Sequence, residues 1–298
     1  MNQEIQRLKE ERNAVILAHN YQVGEVQDAA DFIGDSLELA RAAARLDCDV
    51  IVFCGVDFMA ETAAVLSPEK CVVLPEKDAC CPMAQMVTAQ QIIDARELYP
   101  DAAVVAYVNT TAEVKAESDI CCTSANAVEV VAAVPSSQII MVPDENLGRY
   151  VARHTSKEII PWNGFCYVHD RFLVEGAISA KSAHPSAELL VHPECRPEVI
   201  DLADKVLSTS GMSRHAKTSR SKEFIIGTEV GMLYRLEKEN PDKRFYPLSK
   251  KAVCQNMKKT NLAKVERALE SLKTQVEVSS DVSERARLSI QRMLDLKM

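Results

Sequence analysis

Glycine is scarce in this chain: 9 of 298 residues. No Gly/Ser-rich stretch separates one part from another, which excludes domains swinging on flexible linkers and predicts units that dock tightly. Long apolar runs are missing as well. Stretches such as VVAAV (130–134) and IIMV (139–142) fall far short of the roughly 20 residues a membrane-spanning helix needs. The N-terminal MNQEIQRLKEERN is charged and reads as a helix, not a secretion signal. There is no long basic run, and the formal net charge is −8. Nucleic acid and acidic membrane are therefore not expected as partners, whereas a small anionic substrate is still compatible because its binding depends on the local site. No CxxC pair of the zinc-ribbon type occurs.

What the chain does have is cysteine, ten residues in all. Without a signal peptide these predict reduced thiols and a cytoplasmic location. For a cysteine taken singly, a buried inert thiol is the default. Three stand apart as a set: Cys81, Cys166 and Cys254, spaced by 85 and 88 residues. Each follows a short apolar stretch with a similar lead-in, KCVVLPEKDACCPM (70–83), KEIIPWNGFCYVH (157–169) and KRFYPLSKKAVCQNM (243–257). This spacing predicts three repeated units, each giving one cysteine to a shared site. Three thiolates and a vacant position suit a [4Fe–4S] cluster whose fourth iron acts as a Lewis acid. Zinc on three cysteines and a water is the rival, although structural zinc sites usually draw on local cysteine pairs.

The hydrophobic pattern alternates strand and helix and restarts twice, which predicts an α/β fold with parallel sheets covered by helices. The restarts are periodic. VILAHNY (15–21), VVAYVN (104–109) and ELLVHPE (188–194) lie opposite one another, so that His19, Tyr107 and His192 correspond at offsets of 88 and 85. Tyr21, Asn109 and Glu194 correspond at the same offsets, as do Ser36, Ser124 and Thr209. The units are expected at 1–84, 85–169 and 170–274, with 275–298 packing back on the first unit to close a triangle.

Strand residues two apart share a face, so His19 with Tyr21, Tyr107 with Asn109, and His192 with Glu194 are expected to project as pairs from strand ends, where ligands of open parallel sheets bind. Histidine, phenol and carboxylate are the usual general acids and bases. Ser36, Ser124 and Thr209 stand where helices begin; N-capping is the ordinary role of such hydroxyls, and helix N-termini also receive anions. His169, three residues after Cys166, falls beside the cysteine site, while His154, His184 and His215 carry no signal. Trp162 is expected in the core or a wall. The basic segment 212–222 is expected to be a solvated loop or a lid.

At these residues the chain resembles the quinolinate synthase family. The matching segments are ILAHNYQ (16–22), DFIGDSLELA (31–40), GVDFMAET (55–62), YVNTTAEVKA (107–116), TSANAVEV (123–130), VHPEC (191–195), STSGM (208–212), IGTEVGM (226–232) and CQNMKK (254–259). The resemblance implies three three-layer αβα domains with short parallel sheets, related by pseudo-threefold symmetry around an active site at their central interface. It implies a [4Fe–4S] cluster on Cys81, Cys166 and Cys254, and condensation of iminoaspartate with dihydroxyacetone phosphate to quinolinate, phosphate and water. Substrate contacts carry over to His19, Ser36, Tyr107, Asn109, Ser124, His192, Glu194 and Thr209, and catalytic roles to Tyr21, Tyr107, His192 and Glu194. L-aspartate oxidase or aspartate dehydrogenase would supply iminoaspartate. Two departures bear on this: Cys80 offers a slipped first ligand, and Lys217, Arg220 and Lys222 compete for the family's entrance-loop lysine. A non-enzymatic iron–sulfur sensor and a cluster-free enzyme of phosphorylated metabolites are the competing readings.

Overall fold

The computed structural model describes residues 3–296; the first two residues of the expected N-terminal helix and the last two of the C-terminal segment lie outside them. The fold is α/β, with three four-stranded parallel sheets flanked by helices. The first contains β1 (Ala14–His19), β2 (Phe32–Gly34), β3 (Val50–Cys54) and β4 (Cys71–Val73) in the order β2-β1-β3-β4. The second contains β5 (Ala103–Tyr107), β6 (Ile120–Cys122), β7 (Gln138–Val142) and β8 (Glu158–Pro161), ordered β6-β5-β7-β8. The third contains β9 (Glu188–Val191), β10 (Lys205–Val206), β11 (Glu223–Gly227) and β12 (Arg244–Pro247), ordered β10-β9-β11-β12. The central strands are apolar on both faces: every residue of β3 is buried, as a sheet sandwiched between helices requires.

The strand order places a topological switch point between the first and third strands of each sheet, and a crevice opens there at their C-terminal ends. All three crevices meet at one cavity.

The edge strands β2, β6 and β10 escape the sequence reading because they are only two or three residues long. The stretch before β2 is a helix, Gly24–Ala29, and only two residues separate it from the strand. An aspartate before each edge strand makes so short a pairing hold. Asp31, Asp119 and Asp204 accept the backbone N–H of Ile16, Val104 and Leu189 at 2.8, 2.7 and 2.7 Å. Their own N–H groups return a bond to the carbonyls of the same residues. Lys9, Arg96 and Lys181 pair with these carboxylates at 2.5, 2.8 and 3.1 Å. Each aspartate thus stitches the central strand to the chain entering the edge strand.

The segment 212–222 is mostly not a loop. A helix, Thr209–Thr218, buries Met212, Ser213 and Ala216. Lys217 pairs with Glu239 and Lys222 with Asp242, and neither they nor Arg220 line the cavity.

After the third sheet, the helix Leu262–Ser271 packs Val265, Ala268 and Leu269 with Ile5 and Leu8 of the helix Gln3–Arg12. Val276 N–H then bonds to the Val72 carbonyl beside β4. The final helix, Ser280–Asp295, lies against the helix Ala112–Ala116, strand β6 and the helix Asp57–Leu66. It therefore touches elements of both the first and the second units.

Candidate active site

The cavity measures about 690 Å³, counting its open mouth. His19, Tyr107 and His192 stand at equivalent strand ends on its wall, with Tyr21, Asn109 and Glu194 beside them. Ser36, Ser124 and Thr209 line it from the helix starts, and Cys81, Cys166 and Cys254 from the loops after β4, β8 and β12. The structure brings together every residue that the repeat spacing singled out.

Pleat alternation does not hold the pairs, because β1 ends at His19 and β9 at Val191. Instead the second member of each lies in a turn that folds back on the first. Tyr21 N–H donates to His19 Nδ1 at 3.2 Å, and Glu194 N–H to His192 Nδ1 at 3.4 Å. An Nδ1 that accepts leaves the proton of a neutral imidazole on Nε2. Burial drives both imidazoles toward that neutral form: His19 is pushed down to about 3 by burial and then by the Lys258 charge. His192 is likewise pushed down to about 3 by burial, against the opposing pull of Glu194. Two Nε2–H donors therefore serve the site, and that of His192 meets Ser124 Oγ at 3.1 Å.

None of the three hydroxyls at the helix starts caps its helix; the helix Ala127–Ala133, after Ser124, has no side-chain cap. Asp35 caps the helix Ser36–Ala43, and Ser208 caps the helix Thr209–Thr218. With capping done one residue earlier, Ser36 and Thr209 line the cavity instead.

A buried hydrogen-bonded chain crosses the cavity floor. Tyr107 O–H donates to Glu194 Oε1 at 2.5 Å. Glu194 Oε2 lies 2.7 Å from His169 Nδ1, His169 Nε2 lies 2.8 Å from Thr228 Oγ1, and Tyr21 OH lies 2.6 Å from the same Thr228 oxygen. Burial alone would raise Glu194; His192 and His169, with the His169 and Tyr107 hydrogen bonds, outweigh it and hold the carboxyl ionised, below its usual range. Burial first, and the Glu194 charge second, push Tyr21 and Tyr107 well above the ordinary phenol value. Both phenols are thus proton donors, and one consistent direction runs from Tyr21 through Thr228 and His169 to Glu194.

The cysteine wall is built from three separate loops and an apolar surround that includes Met83, Val168 and Met257. Burial pushes Cys81 up to about 12, with the Cys254 charge adding to it. Cys166 rises for the same first reason, with the Glu194 charge next and Cys81 further down. The thiols therefore sit close enough to oppose one another's ionisation, a cost that a shared cation relieves. Three cysteine thiols on one sheltered wall fit an iron–sulfur cluster in donor type and number. Cys166, His169 and Glu194 also offer donor atoms within 4.8 Å of one another. Cys80 does not line the cavity, and its Sγ lies 3.9 Å from the Lys77 carbonyl. Trp162 packs against the apolar core and does not line the cavity; its indole N–H donates to the Met86 carbonyl at 3.0 Å. None of the ten cysteines forms a disulfide, and among the described residues no helix is long and apolar enough to cross a membrane.

Thr228 was not foreseen, because no counterpart at the 88/85 spacing flags it. Asp57, Asp144 and Glu229, which bond the three cysteine loops, were not foreseen either. Their spacing of 87 and 85 residues carried the signal, but acidic residues are too common to stand out on spacing alone.

The sequence model of the quinolinate synthetase A protein family matches residues 3–295 of the chain. The quinolinate synthase of Methanoregula boonei is 62% identical over 296 residues, covering 99% of this chain and 98% of the relative. That of Thermodesulfovibrio yellowstonii is 59% identical over 295 residues, covering 99% and 97%. A Dehalococcoides mccartyi quinolinate synthase is 55% identical over 294 residues, with the same coverage.

Proposed function

Since this chain belongs to the quinolinate synthetase A protein family, we propose that it condenses iminoaspartate with dihydroxyacetone phosphate, giving quinolinate, phosphate and two waters. The observation that carries this reading is one cavity shared by three units, with three cysteines on one wall and a run of acid–base groups on another. When bound, a [4Fe–4S] cluster on Cys81, Cys166 and Cys254 supplies an iron without a protein ligand, a Lewis acid for dehydration.

The chain's own residues do the rest. The Nε2–H of His19 and the hydroxyls of Ser36, Ser124 and Thr209 receive carboxylate or phosphate oxygens, helped by the positive ends of the adjoining helices. Asn109 Oδ1 is buried without a partner and is free to accept from a substrate amine or hydroxyl. Glu194, held ionised, accepts a proton in the enolisation, and Tyr21, held protonated, donates one to a leaving oxygen. His192 and Tyr107 orient the substrate over Glu194. Iminoaspartate is short-lived in water, so a supplying enzyme of the aspartate oxidase or dehydrogenase class is expected alongside, in the cytoplasm.

A second reading, a single ion such as zinc on Cys166, His169 and Glu194, is favoured by the 4.8 Å grouping. It requires displacing the His169–Glu194 hydrogen bond. Metal analysis separates the two. Anaerobically purified protein is expected to be brown, to hold roughly four irons per chain, and to form quinolinate from the two substrates. Cys81→Ala, Cys166→Ala and Cys254→Ala should each abolish iron and turnover together, while Cys48→Ala, Cys54→Ala and Cys195→Ala should leave both. A colourless, zinc-loaded and active protein would refute the cluster reading.

A further inference from the structure

The loops that carry the cysteines have no regular structure between the ends of β4, β8 and β12 and Cys81, Cys166 and Cys254. Few bonds therefore decide where each thiol points. One pair of bonds recurs in all three units. Cys81 N–H donates to Asp57 Oδ1 at 3.0 Å, Cys166 N–H to Asp144 Oδ2 at 3.1 Å, and Cys254 N–H to Glu229 Oε1 at 3.1 Å. A second bond runs the other way. The backbone N–H groups of Asp57, Glu145 and Val230 donate to the carbonyls of Ala79, Gly164 and Ala252 at 2.9, 2.7 and 2.9 Å. Each of these carbonyls lies two residues before the cysteine. The carboxylates are themselves fixed by nearby N–H groups, of Phe58, Leu147 and Gly231 at 2.9, 2.7 and 2.6 Å.

Each acid follows the third strand of its sheet, the strand beside the switch point, so the clasp ties an irregular segment to a central strand of each unit. Asp144 and Glu229 are 1% and 0% exposed. Burying a carboxyl group is costly unless its oxygens are occupied, and here the cysteine N–H occupies one in each case. The second unit shows how closely the clasp fits: a Cβ on Gly164 would lie 2.3 Å from the Pro143 carbonyl oxygen. Only glycine lets these two backbones approach, and the φ of Gly164 is not positive, so close approach is its reason for being there.

We infer that Asp57, Asp144 and Glu229 are positioning residues, each clasping one cysteine loop so that the three thiols converge on the cavity before any cofactor arrives. This inference rests on the reading that the three cysteines hold a cluster. The role is to supply hydrogen-bond acceptors. Asp57 does so with Oδ1 alone, for the Cys81 and Phe58 N–H groups, so an amide there should serve where a methyl group does not; Asp144 and Glu229 use both oxygens, which an amide nitrogen cannot replace.

The test compares wild type with Asp144→Ala, Glu229→Ala, Asp57→Ala, Asp57→Asn and Gly164→Ala. Apo proteins are checked for folding by circular dichroism and thermal melting. They are then reconstituted anaerobically with iron and sulfide, and iron per chain and the electron paramagnetic resonance spectrum of the reduced protein are recorded. Wild type is expected to take up about four irons. The alanine variants are expected to fold yet take up less than half of that, and Gly164→Ala, with every carboxylate in place, to lose iron as Asp144→Ala does. Asp57→Asn, which keeps the one oxygen that accepts both N–H groups, is expected to recover most of the iron and the wild-type spectrum. Folded alanine variants with full iron and an unchanged spectrum would overturn the inference, as would an Asp57→Asn variant that fails as badly as Asp57→Ala. Asp57 is half-exposed, so Asp57→Ala carries the test if the buried variants do not fold, and full uptake by it would count equally against. Wild type that takes up no iron overturns the cluster reading, and this inference with it; iron in wild type and variants alike overturns the inference alone.

Discussion

His19 and His192 illustrate how single residues are set for their work. Each imidazole accepts the N–H of the residue two positions on, and each is buried enough to be held neutral, with a pKa pushed down to about 3. That setting has a thermodynamic consequence. The unfolded chain binds a proton at these positions below roughly pH 6.5, whereas the folded chain does not until near 3. Between those values the unfolded state carries more protons, so stability falls as pH drops through that window. Urea unfolding of the apo protein should show a midpoint that declines from pH 6.5 to pH 5. The double variant His19→Asn/His192→Asn should have a visibly flatter decline, and equal slopes would rule out neutral imidazoles. Glu194 adds a loss of its own only at more acid pH, because its folded value lies below the ordinary carboxylate range. It is therefore not confused with the histidine effect.

At the scale of the element, short pieces succeed because side chains from neighbouring pieces complete them. Ser208 caps the helix Thr209–Thr218, accepting from Gly211 N–H at 3.2 Å, and donates to Asp35 Oδ2 at 3.2 Å. Asp35 in turn caps the helix Ser36–Ala43 through Leu37 and Glu38. Asp35 N–H also donates to Ser210 Oγ at 3.2 Å. Two helix starts from the first and third units thus share one buried capping network, and both present their N-termini to the cavity. Ser208→Ala removes one cap and leaves part of the Asp35 carboxylate without its donor. It should cost roughly 1–2 kcal/mol in chemical denaturation, and an unchanged midpoint would contradict the shared network. The edge strands follow the same logic: the aspartate stitches at Asp31, Asp119 and Asp204 supply what two or three residues of ladder cannot.

For the molecule as a whole, the question is what keeps three units around one cavity. The first and second share a continuous apolar core, which also takes in Ala286, Ile290 and Met293 of the last helix. Arg287 of that helix donates to the Val65 carbonyl of the first unit at 3.0 Å, and Ser289 to the Lys115 carbonyl of the second at 2.8 Å. The third unit is joined by polar contacts: Arg235 reaches Asn20 Oδ1 at 2.7 Å, and Asn146 Nδ2 reaches the Glu194 carbonyl at 3.2 Å. Ile290→Ala empties space in the shared core and should cost roughly 2–5 kcal/mol, measured by denaturant unfolding. A loss under about 0.5 kcal/mol, the range typical of surface substitutions, would mean that the helix is not a brace.

The sequence by itself determined the repeat and the residues it marks. A shared site draws the same kinds of side chain from each unit, so histidine, phenol, hydroxyl and thiol recur at 85 to 88 residues. The central strands were legible for a related reason: burial on both faces leaves an uninterrupted apolar run. Strands β2, β6 and β10 left no such run, and two caps fell one residue earlier because Asp35–Ser36 and Ser208–Thr209 each offer two adjacent capping side chains, between which only the backbone geometry decides. Only the tertiary structure decided that 209–218 is a packed helix, that the final helix bridges two units, and that Thr228 joins Tyr21 to His169. Those outcomes depend on which surfaces meet, and a contact between residues some two hundred positions apart leaves no local pattern in the chain.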